Sequence, residues 1–338
     1  MRVRAVVASA PGRQSVEHIP DPEPAASEVV IEVRACGICG TDLHLLSGGL
    51  GDDRFPLVPG HESWGEIVAV GTGVHDHRVG DLVAVDPSLH CGRCGRCLRG
   101  QGNMCEDWGA IGATRPGAWA EYVAVPEANC HRLDASFPRE AAALLEPVAC
   151  AVRGLDRLRP RADEPAVVCG AGTMGLILAL LLDARGVGPV TVVDPHPARR
   201  ELAARLTDAT ARHPDEVTGL RVPWVVEATG HPSGFTQALD LVDRAGHLLV
   251  FGVAPPAARV EVSPYRVYAD ELTIVGSMAI LHSFPAAVDT VRRHAARLTP
   301  LVTATFDLAD IGTALDGVRA GTTVKTLIVP GASRGARR

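Results

Sequence analysis

Short apolar runs separated by turn residues fill the first part of the chain. Runs such as VRAVVAS, EVVIEVRA, GEIVAVG, DLVAVDP and AEYVAVP are divided by Gly, Pro and Asp. Apolar runs of strand length that are bounded by such residues are typical of β-sheet proteins. The pattern therefore predicts a compact, mostly β domain over residues 1–148.

The pattern changes after residue 148, where strand-like runs alternate with helix-length segments. The predicted strands are AVVCGAG, TVVDP, WVVEATG, GHLLVFG and LTIVGSM, and helices are expected to open at Met174, Ala198 and Ser233. This alternation predicts a parallel sheet with helices on both faces, so residues 149–279 should form a doubly wound α/β domain. The later helix FPAAVDTVRRHAARL and strand VKTLIV are expected to rejoin the β domain as residues 280–338.

The composition favours an ordinary soluble globular protein. Of the 338 residues, 46% are hydrophobic and 21% are charged, and a chain of this length can bury two separate cores. The longest apolar run, Leu176–Leu182, is too short to cross a bilayer and should be a buried helix. The N-terminal segment MRVRAVVASA lacks the apolar core of a signal peptide. We therefore predict a cytoplasmic protein without a membrane partner.

The net charge of −6 argues against a nucleic-acid partner. The basic cluster at the end, formed by Arg334, Arg337 and Arg338, is more typical of a frayed tail than of a binding surface. Lys325 is the single lysine of the chain. It lies in TTVKTLIV, which has the alternation of a strand. Catalysis by lysine is therefore not expected.

Four closely spaced cysteines, Cys91, Cys94, Cys97 and Cys105, form the most specific metal motif. Thiolates at this spacing can close a tetrahedron around Zn²⁺ and leave no open coordination position. Disulfide bonds and an iron–sulfur cluster are the alternatives. The tight spacing and the lack of a secretory signal favour zinc. The motif therefore predicts a zinc ion that holds a lobe in shape.

A second group of potential metal ligands is scattered through the β domain. Cys39, His61 and either Glu62 or Glu146 would supply three ligands and leave a fourth position open, which is the arrangement of catalytic zinc. Cys36 and Cys39 also form a C-x-x-C pair, which can be redox-active. The preceding strand belongs to no thioredoxin-like βαβ pattern, so a catalytic zinc is favoured.

A glycine-rich turn in the second domain predicts a dinucleotide site. The segment GAGTMG follows a β-branched strand and opens an apolar helix. The first glycine permits a tight turn, the second lets the backbone approach a pyrophosphate, and the third lets helix and strand pack closely. The alternative is a glycine turn that binds nothing. The predicted contacts are Gly170, Gly172, Thr173, Met174 and Gly175.

The expected choice between NAD and NADP depends on Asp194, which lies at the end of the next predicted strand. A carboxylate at this point can bind the ribose hydroxyls and repels a 2′-phosphate, which favours NAD over NADP. Arg199 and Arg200 weaken this preference, since either could pair with a phosphate. The predicted cofactor site is completed by Arg199, Thr229, Val253 and Ser277.

Over essentially its whole length, the chain resembles the zinc-dependent medium-chain alcohol dehydrogenase superfamily. The motifs that carry this resemblance are CGICGTDLH, VPGHE, GDLVAV, CGRCGRC, LEPVACAV, VVCGAGTMG, VVDP, VVEATG and LLVFG. The resemblance implies a GroES-like catalytic domain, a Rossmann coenzyme domain, one catalytic and one structural zinc, and dimers or tetramers. It implies that Cys39 and His61 bind the catalytic zinc. Glu62 resembles the third ligand of the polyol branch, and Glu146 a nearby glutamate that binds directly or through water.

The resemblance also implies how a proton would leave the substrate. Zinc would lower the pKa of a bound hydroxyl, and hydride would pass to the nicotinamide. Thr41 would accept a hydrogen bond from that hydroxyl and pass its proton through the cofactor ribose to His44. His44 could instead be a surface histidine, but its spacing from Thr41 favours the relay. Asp42 is expected to cap a helix or brace its neighbours.

The substrate is expected to be polyhydroxylated. The segments CEDWGAIGATRPGAWAEYVAVPEAN and EPVACAVRGLDRL are similar to cyclitol and aminocyclitol dehydrogenases of the 2-deoxy-scyllo-inosamine dehydrogenase type, which act during aminoglycoside assembly. Sorbitol-type enzymes usually carry an arginine where this chain has Gly276-Ser-Met-Ala279. Acyclic polyols and L-threonine remain alternatives, as does a non-catalytic protein of this fold. The strand LTIVGSM could pair across a two-fold axis, which predicts at least a dimer.

Overall fold

The computed structural model describes residues 2–49 and 54–331, which form two compact units. One unit contains the chain up to Glu146 and again from Ile280, and the other contains Pro147–Ala279. The basic tail at residues 334–338 lies outside the described residues. Within the described part, no helix has both the length and the apolar character needed to cross a membrane.

Seventeen strands lie in the described residues. In chain order they are β1 (Arg2–Ala10), β2 (Arg13–Pro20), β3 (Glu28–Ile38), β4 (Glu62–Val70), β5 (Leu82–Val85), β6 (Ser88–Leu89), β7 (Gly109–Ala110), β8 (Tyr122–Pro126), β9 (Cys130–Leu133), β10 (Ala166–Cys169), β11 (Val190–Val193), β12 (Thr210–Arg212), β13 (Val222–Glu227), β14 (Val242–Val250), β15 (Thr273–Gly276), β16 (Val302–Phe306) and β17 (Lys325–Ile328).

Nine α-helices lie in the same described ranges. They are α1 (Gly40–Leu46), α2 (Gly95–Leu98), α3 (Leu145–Leu158), α4 (Thr173–Ala184), α5 (Pro197–Leu206), α6 (Pro232–Asp240), α7 (Pro264–Ala269), α8 (Phe284–Leu298) and α9 (Ile311–Arg319). The helix predicted from FPAAVDTVRRHAARL is confirmed as α8.

The first unit is built around a seven-stranded sheet. Its order is β16-β17-β3-β4-β5-β9, and β8 also pairs with β3. The central strands bury side chains such as Ile31, Ile67 and Val83, and burying each of these stabilises the unit by roughly 1.5–3 kcal/mol. Strand β17, the last strand in the described residues, runs antiparallel to β3. Residues Lys325–Ile328 are thus part of the same sheet as β3.

The second unit is a six-stranded parallel sheet in the order β12-β11-β10-β13-β14-β15. This is the order of a doubly wound dinucleotide-binding fold, as predicted. The apolar run Leu176–Leu182 is buried within α4, which confirms that it is a core helix. Strand β15 lies at one edge of the sheet.

Candidate active site

Cys39 lies at the junction between β3 and α1. It is the N-cap residue of α1, and the Asp42 carboxylate accepts a hydrogen bond from its backbone N–H at 2.8 Å. Asp42 is almost fully buried and is the third residue of the helix. A carboxylate at this position satisfies a backbone donor that the first helical turn leaves free. The capping contact therefore fixes the backbone that carries the Cys39 thiol.

His61 directly precedes β4 and Glu62 is its first residue, and two nearby glycines stand where a larger side chain would not fit. Gly60 has φ +100, a conformation that glycine adopts readily, and a Cβ there would collide with Trp119. Gly37 faces Glu62 across the β3–β4 ladder. A Cβ at Gly37 would overlap the Glu62 carboxylate. The glycine therefore lets this carboxylate lie against β3.

The structure brings Cys39, His61 and Glu62 together. One ligand atom from each lies within 4.8 Å of the others, and Glu62 is buried. Asp42 lies 3.2 Å from His61 Nδ1. Burial lowers the pKa of His61, but the charge and hydrogen bond of Asp42, together with those of Cys39, outweigh it and raise this pKa well above its usual range. Cysteine sulfur, histidine nitrogen and carboxylate oxygen are all ligand atoms that bind Zn²⁺ in proteins, so the three side chains suit this metal.

The predicted dinucleotide turn joins β10 to α4. Gly170 has φ +103, and its N–H donates to the Val193 carbonyl at 2.7 Å. A Cβ at Gly175 would overlap the Gly170 carbonyl oxygen, whereas a Cβ at Gly172 would meet no atom within 4 Å. Gly172 is the N-cap residue of α4. The turn therefore leaves space beside Gly172 and none beside Gly175.

Asp194 binds the dinucleotide turn to the end of β11. Its two carboxylate oxygens accept hydrogen bonds from the N–H groups of Ala171 and His196, both at 2.8 Å, and it is buried. Arg199 Nη1 lies 3.8 Å from Asp194 Oδ2. Arg200 instead donates to the backbone carbonyls of residues 194 and 195. Asp194 thus helps to hold the shape of the turn.

The other predicted cofactor contacts follow the carboxyl ends of neighbouring parallel strands. Thr229 comes after β13, Val253 after β14 and Ser277 after β15. The first two are exposed. The Thr229 hydroxyl and backbone N–H bond to the buried carboxylate of Glu227. Because ligands of open α/β sheets bind beyond the carboxyl ends of strands, these residues lie on the expected edge.

Comparison with known proteins decides the family. Residues 25–135 match the family described as alcohol dehydrogenase GroES-like domain, and residues 173–293 match zinc-binding dehydrogenase. D-arabinitol dehydrogenase 1 of Uromyces fabae is 36% identical over 318 residues, which cover 90% of each chain. The chain belongs to the zinc-dependent medium-chain alcohol dehydrogenase superfamily. It is therefore an oxidoreductase that acts on alcohols.

Solved structures of related proteins share the fold of this dehydrogenase. A zinc-binding dehydrogenase from Sinorhizobium meliloti 1021 bound to NADP is 29% identical, with a TM-score of 0.92 over 98% of this chain and 100% of that one. An alcohol dehydrogenase from E. coli CFT073 complexed with NADH is 28% identical, with a TM-score of 0.90 over 97% of this chain and 99% of that one.

The cysteine lobe of this dehydrogenase is arranged for a tetrahedral metal. Cys91 Sγ lies 4.0 Å from Cys97 Sγ, and Cys94 Sγ lies 3.9 Å from Cys105 Sγ. Four Zn–S bonds of about 2.3 Å would place the sulfurs roughly 3.8 Å apart. None of the nine cysteines, all of which lie in the described residues, forms a disulfide bond. The geometry thus fits zinc and contains none of the disulfides considered as an alternative.

Backbone N–H groups surround the sulfurs of this lobe and change their acidity. Hydrogen bonds from Glu106 and Cys97 lower the pKa of Cys94 to about 6. Burial and the neighbouring sulfurs raise the pKa of Cys97 to about 12. The N–H groups of Cys91 and Asp107 both donate to Cys105 Sγ at 3.3 Å. Such donors favour thiolates, which are the form that binds a metal.

The remaining predicted catalytic residues occupy different positions around the metal cluster. Thr41 and His44 are exposed and three residues apart on α1, so they share one face of the helix. Thr41 Oγ1 lies 3.7 Å from Cys39 Sγ. Glu146 lies in the first turn of α3 and is half-buried. It is not part of the three-residue cluster, which contains Glu62.

Lys325 is the residue of this site that the sequence pattern did not reveal. It is buried in β17, where its ammonium forms an ion pair with the Glu62 carboxylate. Its Nζ also donates to the Ile38 carbonyl at 3.1 Å. The available signal was a lone charge within the apolar run VKTLIV. A charged side chain that is fully buried usually has a specific partner.

Proposed function

We propose that this dehydrogenase oxidises a secondary alcohol of a cyclitol or an aminocyclitol to a ketone and reduces NAD. The observation that carries this proposal is the cluster of Cys39, His61 and Glu62, which offers three ligands of the types that bind zinc. Three protein ligands leave one coordination position for a substrate oxygen. The same donor set would be hard to explain in a protein that has no reaction to catalyse.

The chain's own residues have separate roles in this proposal. A zinc ion held by the cluster would polarise the substrate hydroxyl and lower its pKa. Asp42 holds the His61 ring through Nδ1 and so leaves Nε2 as the nitrogen that can bind a metal. Thr41 accepts the hydrogen bond of the substrate hydroxyl, and His44 on the same helical face receives the released proton.

The proposal assigns the cofactor as NAD. The Asp194 carboxylate stands at the end of β11, where a 2′-phosphate would meet its negative charge. The related structures contain NADP in one case and NADH in the other, so the choice depends on this chain's residues. Arg199 lies near Asp194 and offers a cation to a phosphate. We place the carboxylate first because it is buried and held by two backbone donors.

The proposed substrate is cyclic. The segment at the end of β15, Gly276-Ser-Met-Ala279, carries no arginine to hold the hydroxyls of an open-chain polyol. The similarity of residues 105–129 and 146–158 to cyclitol and aminocyclitol dehydrogenases supports the same class. An acyclic polyol is the second candidate, because a relative with 36% identity is a D-arabinitol dehydrogenase.

A substrate screen tests this assignment. The purified protein would be assayed with cyclitols, aminocyclitols, alditols and L-threonine, each with NAD and with NADP, by following the absorbance of the reduced cofactor. The kcat/KM for a cyclitol or an aminocyclitol should be the highest, with NAD. A Cys39→Ser variant is the control and should lose turnover with every substrate. Preference for an alditol or threonine would replace the proposed substrate, and full activity of the variant would remove the proposed metal site.

A further inference from the structure

Lys325 occupies an exceptional position in the first unit. It is the single lysine of the chain, its exposed fraction is 2%, and all four residues of β17 are buried. A lysine normally keeps its ammonium in water even when its stem is covered. Burial of the ammonium therefore requires partners that replace water.

The two partners of this ammonium belong to the segments that carry the proposed metal ligands. One is the carboxylate of Glu62, which follows His61 directly. The other is the carbonyl of Ile38, which precedes Cys39 directly. The antiparallel pairing of Thr326 with Ile38 brings β17 to this place. Lys325 thus connects the backbone before one ligand to the side chain of another.

The Lys325 ammonium forms an ion pair with the buried carboxylate of Glu62. A buried lysine is normally paired with an opposite charge, and this contact places a cation next to the carboxylate of the cluster. Such an ion pair is often no more stabilising than apolar side chains of the same volume. Packing alone therefore does not account for a charge at this point of an apolar strand.

We propose that Lys325 is a positioning residue that holds the Glu62 carboxylate and competes with the metal for it. This inference rests on the proposed metal site. While the ammonium is present, Glu62 would offer a bound metal only part of its charge, and that metal would be a stronger Lewis acid toward the substrate oxygen. Without the ammonium, the Glu62 carboxylate would be fully available to the metal.

If Lys325 competes with the metal for Glu62, removal of its charge should increase the affinity for the metal. A variant that lacks the charge, Lys325→Met, should bind the metal of the Cys39 cluster more tightly, by about tenfold, because outer partners of metal ligands commonly change affinity by this amount. A residue with only a structural role should leave that affinity unchanged or weaken it. Lys325→Gln removes the charge but keeps hydrogen-bonding capacity, and it serves if the methionine variant does not fold.

The measurement uses the whole protein with Co²⁺ in place of the metal at the Cys39 cluster. Titration against a chelator gives the affinity, and the visible absorption of Co²⁺ reports its coordination. Both charge-removing variants should show tighter binding, a changed spectrum and a lower kcat with a smaller change in KM. Lys325→Arg keeps the charge and should return the spectrum toward that of the natural protein.

Two controls separate this inference from the proposed function. Thr326→Val alters the neighbouring buried residue of β17, whose hydroxyl bonds to Thr323, and should leave Co²⁺ binding unchanged. In Glu62→Gln, removal of Lys325 should have a smaller effect on affinity. Unchanged or weaker binding in Lys325→Met and Lys325→Gln would overturn the inference. If the natural protein binds metal only at the cysteine lobe, or keeps its second metal in Cys39→Ser, the proposed metal site fails instead.

Discussion

The carboxylate of Asp42 lies 3.2 Å from His61 Nδ1, although the two residues belong to different elements. The same carboxylate accepts the backbone N–H of Cys39. One buried group thus orients two of the three proposed metal ligands. A hydrogen bond to Nδ1 fixes the ring of a metal-binding histidine and increases its basicity.

Asp42→Asn should weaken metal binding at the Cys39 cluster by roughly 10- to 100-fold, because it removes the charge that supports His61. Dialysis against a chelator followed by metal analysis measures this loss. Asp86→Asn is a matched control, since Asp86 also accepts a backbone N–H, from Ser88, and lies outside the cluster. Equal metal loss in the two variants would show that Asp42 has no specific role.

The cysteine lobe should show unequal thiol reactivity once its metal is removed. Cys94, with a pKa of about 6, is mostly thiolate at pH 7, whereas Cys97, with a pKa of about 12, is not. Because the thiolate is the nucleophile, iodoacetamide should modify Cys94 at least about tenfold faster than Cys97. Peptide mass spectrometry over time measures the two rates.

The metal supplies the control for this experiment. Zinc-loaded protein should protect all four cysteines of the lobe, since each sulfur would then be a ligand. Below pH 6 the rate of modification at Cys94 should fall about tenfold per pH unit, because protonation removes its thiolate. Equal rates for Cys94 and Cys97 at pH 7 would contradict the described hydrogen bonds.

Local spacing was enough to predict much of the fold and several proposed ligands. The four lobe cysteines occur within one short segment, and the glycine turn is contiguous, so their geometry follows from neighbouring residues. The alternation of strands and helices likewise depends on local periodicity. It predicted the parallel sheet that β10–β15 form.

Local spacing and periodicity could not predict contacts between distant segments. Lys325 meets the Ile38 carbonyl across 287 positions of sequence, and this contact exists only because β17 joins β3. A strand pattern alone gives neither its partner nor its register. The sequence suggested that Asp42 braces its neighbours, but not that His61 is the neighbour. The engagement of both Asp194 oxygens by backbone amides was equally invisible.

Two glycine substitutions should show which glycine of the dinucleotide turn is needed for folding and which is needed only for binding of the cofactor. Gly175→Ala places a methyl group into the Gly170 carbonyl, so it should reduce both thermal stability and NAD affinity. Gly172→Ala meets no atom of the protein and should reduce NAD affinity without loss of stability. Calorimetric titration with NAD and thermal unfolding measure the two quantities. Unchanged NAD affinity in both variants would place the cofactor elsewhere.

Asp194 should affect stability as well as cofactor choice. Asp194→Ala leaves the buried N–H of Ala171 without its acceptor, and an unsatisfied buried donor costs roughly 1–3 kcal/mol. Loss of stability should therefore accompany weaker binding of both NAD and NADP. Denaturant unfolding and kinetics with each cofactor measure these effects.

Asp194→Asn tests the preference for NAD over NADP more directly. It keeps one oxygen acceptor and removes the negative charge, so it should increase the ratio of kcat/KM with NADP to that with NAD. Arg199→Ala removes the nearby cation and should lower the same ratio. If the natural enzyme already prefers NADP, the assignment of NAD is wrong.

The edge strand β15 should determine the oligomeric state. Its Ile274 is 40% exposed, and an unpaired strand edge offers backbone donors and acceptors to a second copy. Two such strands related by a two-fold axis would form one continuous sheet. Ile274→Lys should therefore halve the mass measured by light scattering, because a charge on an edge strand opposes pairing. Val79→Lys changes another exposed apolar residue, in the first unit, and should leave the mass unchanged. A monomeric natural protein, or equal masses for both variants and the natural protein, would rule out pairing through β15.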